Sequence, residues 1–466
     1  MKSSYAALKQ SFADYSDHSA ISTSESHLSY LECLEHIHDI SLQLSSFSQA
    51  KSIAIWGGNS SDYLQLLSAL WLNSQTTFPL NTRLPVNQLN SLLKRADCDL
   101  LISLEEDSPN FDIDTYYLSW QEKESSTLPN KSSGLNTPAT YLATSGSSGT
   151  PKIAVHSLDN HYYSALGSNA NIPLQPGDSW LLSLPLYHVG GIAIWIRCLL
   201  AGASVYVPKK DEALVEILLK QKITHLSLVS TQLQRLLSNP AVIPKLRQLK
   251  AILLGGSAIP HPLLQQCLHE KLPVHTSYGS TEMSSQITTT GAGESFFTSG
   301  KLLRHRELRI ADDGEILVRG KTLFRGYLVS GKVELNVDVD GWFHTRDSGY
   351  VDSDGNLMVT GRIDNMFISG GENIQPAEIE KALEARPEVV RAIVVAVDDR
   401  EFGKRPVAFV KLAQNAELNE AVLKKNIRQS LAGYKVPKRI LLLPDEITSN
   451  SLKPDRQKLI ELALRH

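Results

Sequence analysis

From residue 50 onward, short β-branched runs alternate with segments of helical period. Ser52–Trp56 precedes Asp62–Leu72, and Ile223–Val229 precedes Gln232–Leu237, a rhythm that predicts βαβ units. Ala251–Leu254 leads likewise to a helix opening near Pro260, whose ring suits a first helical turn. Parallel sheets covered by helices are expected. The longest apolar stretch, Gly190–Val207, is interrupted by Arg197 and broken near its end by Gly202, so it predicts a buried helix and a strand rather than a membrane span. Residues 105–138 are rich in Ser, Glu, Asp, Asn and Pro and read as an irregular connection. After about residue 300, Asp313-Gly314 and Asp354-Gly355 punctuate alternating strand runs as hairpin turns, which predicts a small β-rich unit. Beyond Arg362 come a helix near Pro376–Ala385, strands near Ala392–Val397 and Val407–Leu412, another helix and a strand-helix pair. These make a compact α+β domain of about a hundred residues. The fold class is α/β, and no internal repeat is visible.

Length and charge narrow the function. At 466 residues the chain exceeds what one core usually supports. A net charge of -3, without a basic block, argues against nucleic acid as main partner. Cys33, Cys98, Cys198 and Cys267 are scattered without CxxC spacing, which argues against a zinc site or disulfide framework and for a reduced, cytoplasmic protein. The N-terminal MKSSYAALKQSFADYSDH has no continuous apolar run of the signal-peptide kind.

The most informative stretch is TSGSSGTPK, Thr144 to Lys152, directly after the strand-like Tyr141–Ala143. Small residues let backbone N–H groups approach an anion, while the hydroxyls and one lysine add donors for phosphate oxygens. It is not a Walker A loop, because the GxxxxGK[ST] order is absent. Composition alone fits a flexible Ser/Gly loop equally well. Further on, YGSTE (Tyr278, Gly279, Ser280, Thr281, Glu282) offers a carboxylate of the hard-oxygen type that Mg2+ prefers. GGS (Gly255, Gly256, Ser257) follows a buried-looking strand and on its own is simply a turn. Asp347 stands in WFHTRDSG. Arg362 and Asp364 stand in GRIDN, and Lys453 in SLKPDRQKL.

Taken in order from Thr144 to Arg456, these elements resemble the acyl-adenylate-forming superfamily, which includes acyl-CoA synthetases, adenylation domains of peptide synthetases and firefly-type luciferases. The resemblance implies a nucleotide site in which Thr144, Ser145, Gly146, Ser147, Ser148, Gly149, Thr150 and Lys152 hold phosphates. Gly255, Gly256, Ser257, Tyr278, Gly279, Ser280 and Thr281 would flank the adenine and phosphates, and Glu282 would ligate Mg2+. Asp347 and Arg362 become ribose or phosphate contacts and Lys453 the catalytic lysine, with Thr144 and Glu282 also catalytic. Two departures stand out: Arg346 replaces a family glycine, and Leu452 replaces the glycine before the catalytic lysine. The implied organisation is an AMP-binding domain over residues 1–363 and a mobile domain over 364–466, hinged at Asp364, with Ser369, Gly370, Gly371 and Glu372 lining a coenzyme A tunnel.

In such enzymes a carboxylate attacks the α-phosphate of ATP, and a thiol then attacks the acyl-adenylate; positioning and charge stabilisation dominate this chemistry. LPLYHVGGI, LSLVSTQLQRLL, FISGGENIQPAEIE and EFGKRPVAF resemble the superfamily branch that joins 2-succinylbenzoate to CoA in menaquinone synthesis. His188, Thr231, Arg235 and Ser257 are the expected acyl-site residues, and Arg235 has the fork that matches a second carboxylate. An outward-facing arginine and a core histidine are the competing readings. Ligases for other short-chain, medium-chain or aryl acids, and a stand-alone adenylation domain loading a carrier protein, remain alternatives. The expected partners are a small carboxylic acid, ATP and CoA, with no membrane insertion; a homo-oligomer is open by analogy.

Overall fold

The computed structural model describes residues 4–118, 137–144, 151–256, 259–369, 372–399, 402–428, 431, 433–444, 447 and 455–465. Its largest elements are a nine-stranded and an eight-stranded sheet, each mixed and flanked by helices. The βαβ expectation holds where the sequence places it. Ser52–Trp56 pairs in parallel with Thr76–Pro79 and with Leu100–Ser103, and helix Ser61–Leu72 crosses between the first two. All five residues of Ser52–Trp56 are buried, as befits a strand covered on both faces.

The stretch expected to be a buried helix and a strand is helix Val189–Ala201 followed by strand Ser204–Tyr206. Gly202 ends the helix at φ +67°, a left-handed cap that glycine supplies without steric cost. Among the described residues, no helix is long and apolar enough to cross a membrane. Two buried indoles find partners, Trp180 on Ser227 Oγ at 3.0 Å and Trp195 on Ser68 Oγ at 2.9 Å. These bonds avoid the cost of stranding a polar atom in the core.

The hairpins expected after residue 300 form a four-stranded antiparallel sheet from Arg306–Ile310, Glu315–Gly320, Phe343–Val351 and Leu357–Arg362. Gly326–Val329 and Lys332–Glu334 lie between these strands in sequence yet join the eight-stranded sheet, where Tyr327 pairs with Ala154. That crossing ties the small sheet to the large domain. At the C-terminal end, Val389–Asp399, Gly403–Leu412 and Arg439–Leu442 form a three-stranded sheet covered by helices Pro376–Glu384, Glu420–Ile427 and Arg456–Ala463.

Two regions hold more regular structure than the sequence pattern disclosed. The first 45 residues carry helices Ser4–Asp14 and Tyr30–Gln43 and a strand pair at the edge of the nine-stranded sheet. Phe12, Tyr30, Cys33, Ile37 and Ile40 are buried, and the Tyr30 hydroxyl donates to Cys198 O and Ala203 O. Mixed polar and apolar composition hid this segment, because its apolar face is completed by later parts of the chain, at Tyr30 by residues more than 150 positions away. In the supposed irregular connection, Thr115–Tyr117 adds an edge strand beside Leu100–Ser103, and residues 119–136 lie outside the described set.

Candidate active site

The parallel strands His225–Leu228, Ala251–Leu254 and Val274–Ser280 run in register, with Leu228 beside Leu254 and Leu254 beside Thr276. Their carboxyl ends open on one edge, where an open α/β sheet receives ligands. Three expected segments emerge together there. One is helix Ser230–Leu237 with Thr231 and Arg235, the second is the Gly255-Gly256 turn, and the third is Tyr278–Glu282. Gly256 sits at φ +85°, and a side chain at Gly255 would run into Ser277 Oγ. Gly256 thus suits its backbone conformation, and Gly255 leaves room for the Ser277 side chain. Ser257 lies outside the described residues.

At this edge Tyr278 OH donates to Asp347 Oδ2 at 2.6 Å, and Arg362 Nη1 donates to Asp347 Oδ1 at 3.1 Å. Asp347 and Arg362 are direct partners across strands Phe343–Val351 and Leu357–Arg362. Burial and the Asp347 charge push the Tyr278 phenol well above its ordinary range, so it stays a donor. Arg346, where the family pattern has glycine, adopts φ +63°, the left-handed region glycine favours. The backbone demand persists although the residue has changed.

The expected phosphate loop is framed by a strand pair. Pro138–Thr144 and Lys152–Ser157 are antiparallel with Thr144 opposite Lys152, and Thr144 Oγ1 donates to Lys152 O at 3.4 Å. Both ends of the Ser/Gly loop are thereby held side by side; Ser145, Gly146, Ser147, Ser148, Gly149 and Thr150 lie outside the described residues. The second strand closes with Ser157 in a capping box with Asn160, which opens helix Leu158–Asn171 and is worth about 1 kcal/mol. From the same strand, His156 Nε2 donates to Thr281 O at 2.7 Å. Burial drives its imidazole down to about 4, so it is neutral there. Tyr327 OH donates to Glu282 Oε1 at 2.6 Å, while Lys152 Nζ sits 4.8 Å above the Tyr327 ring. Burial and Glu282 raise the Tyr327 phenol.

This corner fits Mg2+ carried by ATP. Glu282 is a half-buried hard-oxygen donor with only Oε1 engaged among the described residues, and the nearby Ser280 hydroxyl is buried without a partner there. Three clustered His, Cys, Asp or Glu side chains are lacking among the described residues, and Mg2+ on substrate phosphates needs only one or two carboxylates rather than a cage.

Of the residues expected at the acyl site, His188 caps helix Val189–Ala201 through its carbonyl, which accepts from Gly191 N at 3.0 Å. A side chain at Gly191 would collide with the Pro185 carbonyl, so LPLYHVGGI folds tightly on itself. The half-buried His188 ring packs edge-on against Tyr187, and burial followed by Arg83 lowers its pKa. Thr231 and Arg235 are exposed, one turn apart on the same helix face. The sequence reading treated Arg197 only as an interruption of an apolar stretch. It is fully buried over the Trp180 ring, bonded to Gln286 Oε1 at 2.7 Å and Ser285 Oγ at 3.2 Å, with no ion pair among the described residues. Burial brings its guanidinium down to about 10. A charged residue in an apolar helix was the signal available.

Asp364 falls in the short turn Ile363–Asn365. Ser369 and Glu372 pair across the following hairpin, while Gly370, Gly371 and Lys453 lie outside the described residues. Arg456 donates to Glu380 Oε1 at 2.8 Å and to Val394 O, anchoring the helix that follows Lys453 to the C-terminal sheet.

The family model described as AMP-binding enzyme matches residues 8–328, and that of the AMP-binding enzyme C-terminal domain matches 378–451. The chain belongs to the AMP-binding enzyme family. Among relatives of this AMP-binding enzyme, the 2-succinylbenzoate--CoA ligase of Salmonella typhimurium is 36% identical over 420 residues, covering 88% of this chain and 87% of the relative. The o-succinylbenzoate CoA synthetase (MenE) of Bacillus subtilis in complex with the acyl-adenylate intermediate OSB-AMP superposes with TM-score 0.86 at 28% identity, covering 98% of each chain. The same synthetase in complex with ATP and magnesium ion gives TM-score 0.85 at 28% identity, covering 97% of this chain and 98% of that one.

Proposed function

We propose that the chain converts 2-succinylbenzoate, ATP and CoA to 2-succinylbenzoyl-CoA, AMP and pyrophosphate through an acyl-adenylate, in menaquinone synthesis. The observation that carries this is the convergence of Tyr278, Asp347, Arg362 and Glu282 on the sheet edge where the phosphate-loop strands also end. The 2-succinylbenzoate ligases among the relatives supply the acid.

Each group has a defined task in this reading. Asp347 accepts the ribose hydroxyls while Arg362 and Tyr278 fix its carboxylate. The Thr144 to Lys152 loop donates to the phosphates. Mg2+, held at Glu282, supplies charge neutralisation at the phosphate oxygens when bound. Lys453 offsets the charge that builds as a carboxylate oxygen bonds to the α-phosphorus and the bond to pyrophosphate breaks. The C-terminal domain then turns about Asp364, and Ser369, Gly370, Gly371 and Glu372 line the path of the CoA thiol. The thiol displaces AMP from the acyl carbon and loses its proton. His188, Thr231, Ser257 and Arg235 surround the acid, with Arg235 on its second carboxylate. Soluble substrates and four cysteines free of disulfides, three of them buried, suit work in the cytoplasm.

The test is incubation with ATP, Mg2+ and CoA and either 2-succinylbenzoate, benzoate, hexanoate or acetate, following AMP and thioester together. Thioester from 2-succinylbenzoate alone is expected. AMP release with a different acid would discard the substrate and keep the chemistry.

A further inference from the structure

Asp347 reaches the sheet edge because its strand leaves the regular ladder. Leu317 pairs with His344 but Glu315 pairs with Ser348, so three residues, Thr345, Arg346 and Asp347, face a single Ile316. Bulges of this kind bend a strand and re-aim a side chain. Here the bend rests on Arg346 at φ +63°, a conformation that an L side chain holds only when its surroundings insist.

The surroundings include one buried carboxylate. Glu315 is 5% exposed; its Oε1 accepts from Arg346 N at 2.8 Å and its Oε2 lies 2.7 Å from His344 Nδ1. It thus grips the bulge at the strained residue and at the residue where it begins. The Thr345 hydroxyl adds a second hold, donating to Ile316 O at 2.6 Å and accepting from Asp347 N at 3.0 Å.

We infer that Glu315 is a positioning residue for nucleotide selection: it holds the Thr345–Asp347 bulge so that the Asp347 carboxylate faces the ribose hydroxyls. This rests on the reading of Asp347 as the ribose acceptor. Glu315 acts through the backbone of Arg346. Its loss lets the bulge relax and turns Asp347 away, which weakens ribose recognition without touching the acyl or phosphate groups.

The experiment is ATP–pyrophosphate exchange by the full chain with 2-succinylbenzoate, comparing ATP with 2′,3′-dideoxy-ATP. In Glu315→Ala the KM for ATP rises about tenfold, the scale of a lost hydrogen bond to a charged group, with kcat within about threefold. Its preference for ATP over the dideoxy nucleotide falls by the same factor. Adding Arg346→Gly restores most of that preference, because glycine adopts the bulge conformation unaided. Should the alanine variant fail to fold, Glu315→Asp, which keeps the charge but withdraws the carboxylate from Arg346 N, must show the same loss. Asp347→Ala separates the two ideas. If Asp347→Ala loses the preference while the Glu315 variants keep it, the positioning role is overturned; if Asp347→Ala also keeps it, the ribose reading falls and takes the positioning role with it.

Discussion

Replacing Tyr327 with Phe removes one hydroxyl and leaves the ring in place beside Phe324 and beneath Lys152. The lost bond is the 2.6 Å donation to Glu282 Oε1. Hydrogen bonds to charged groups contribute about 1.5–3 kcal/mol. Glu282 is half-buried and water partly replaces the lost donor, so the lower end, about 1.5 kcal/mol, applies. Oriented by Tyr327, the carboxylate presents its remaining oxygen at a fixed angle; freed, it must be ordered by the metal. The expected outcome is a roughly tenfold rise in the Mg2+ concentration for half-maximal pyrophosphate exchange at saturating ATP, in the range typical of an outer-shell partner. Manganese binding followed by electron paramagnetic resonance, with a non-hydrolysable ATP analogue present, reads the same affinity without turnover. Unchanged or tighter metal binding in Tyr327→Phe would refute the reasoning, because the hydroxyl would then compete with the metal or do nothing.

Three further outcomes are expected. His156 and His225 are buried and lowered to about 4 by that burial, against about 6.5 in an unfolded chain. Below pH 6.5 the unfolded state binds protons that the folded state refuses. Stability is therefore complete above that pH and falls as pH drops toward 4, by about 3 kcal/mol for His156 alone; a thermal midpoint flat from pH 7 to 4.5 would contradict this. Arg346→Gly relieves about 1 kcal/mol of left-handed strain, partly offset by the greater freedom of unfolded glycine, so a thermal midpoint raised by about 1–3 °C is expected. A drop of that size would mean the Arg346 side chain makes contacts that outweigh the strain. Arg235→Ala raises KM for 2-succinylbenzoate about tenfold and leaves KM for ATP unchanged; an unaltered acid KM assigns Arg235 to the outward face.

The order of motifs from Thr144 to Arg456 carried the reaction class, and hydrophobic periodicity carried the strands at Ser52, Ala251 and Val389 and the helix at Val189. These were legible because motif spacing and local period are properties of neighbouring residues. The N-terminal 45 residues were not, since Tyr30 finds its partners at Cys198 and Ala203. Nor was the excursion of Tyr327 into the eight-stranded sheet, which sets its hydroxyl on Glu282 45 residues upstream. Arg346 shows both halves at one position: sequence marked it as a departure from glycine, and only the fold gave it φ +63° and a carboxylate to hold it there. The sequence alone thus determined which chemical groups the chain owns and in what order. Which of them meet was decided by the tertiary structure, because hydrogen bonds act over about 3 Å in space and take no account of separation along the chain.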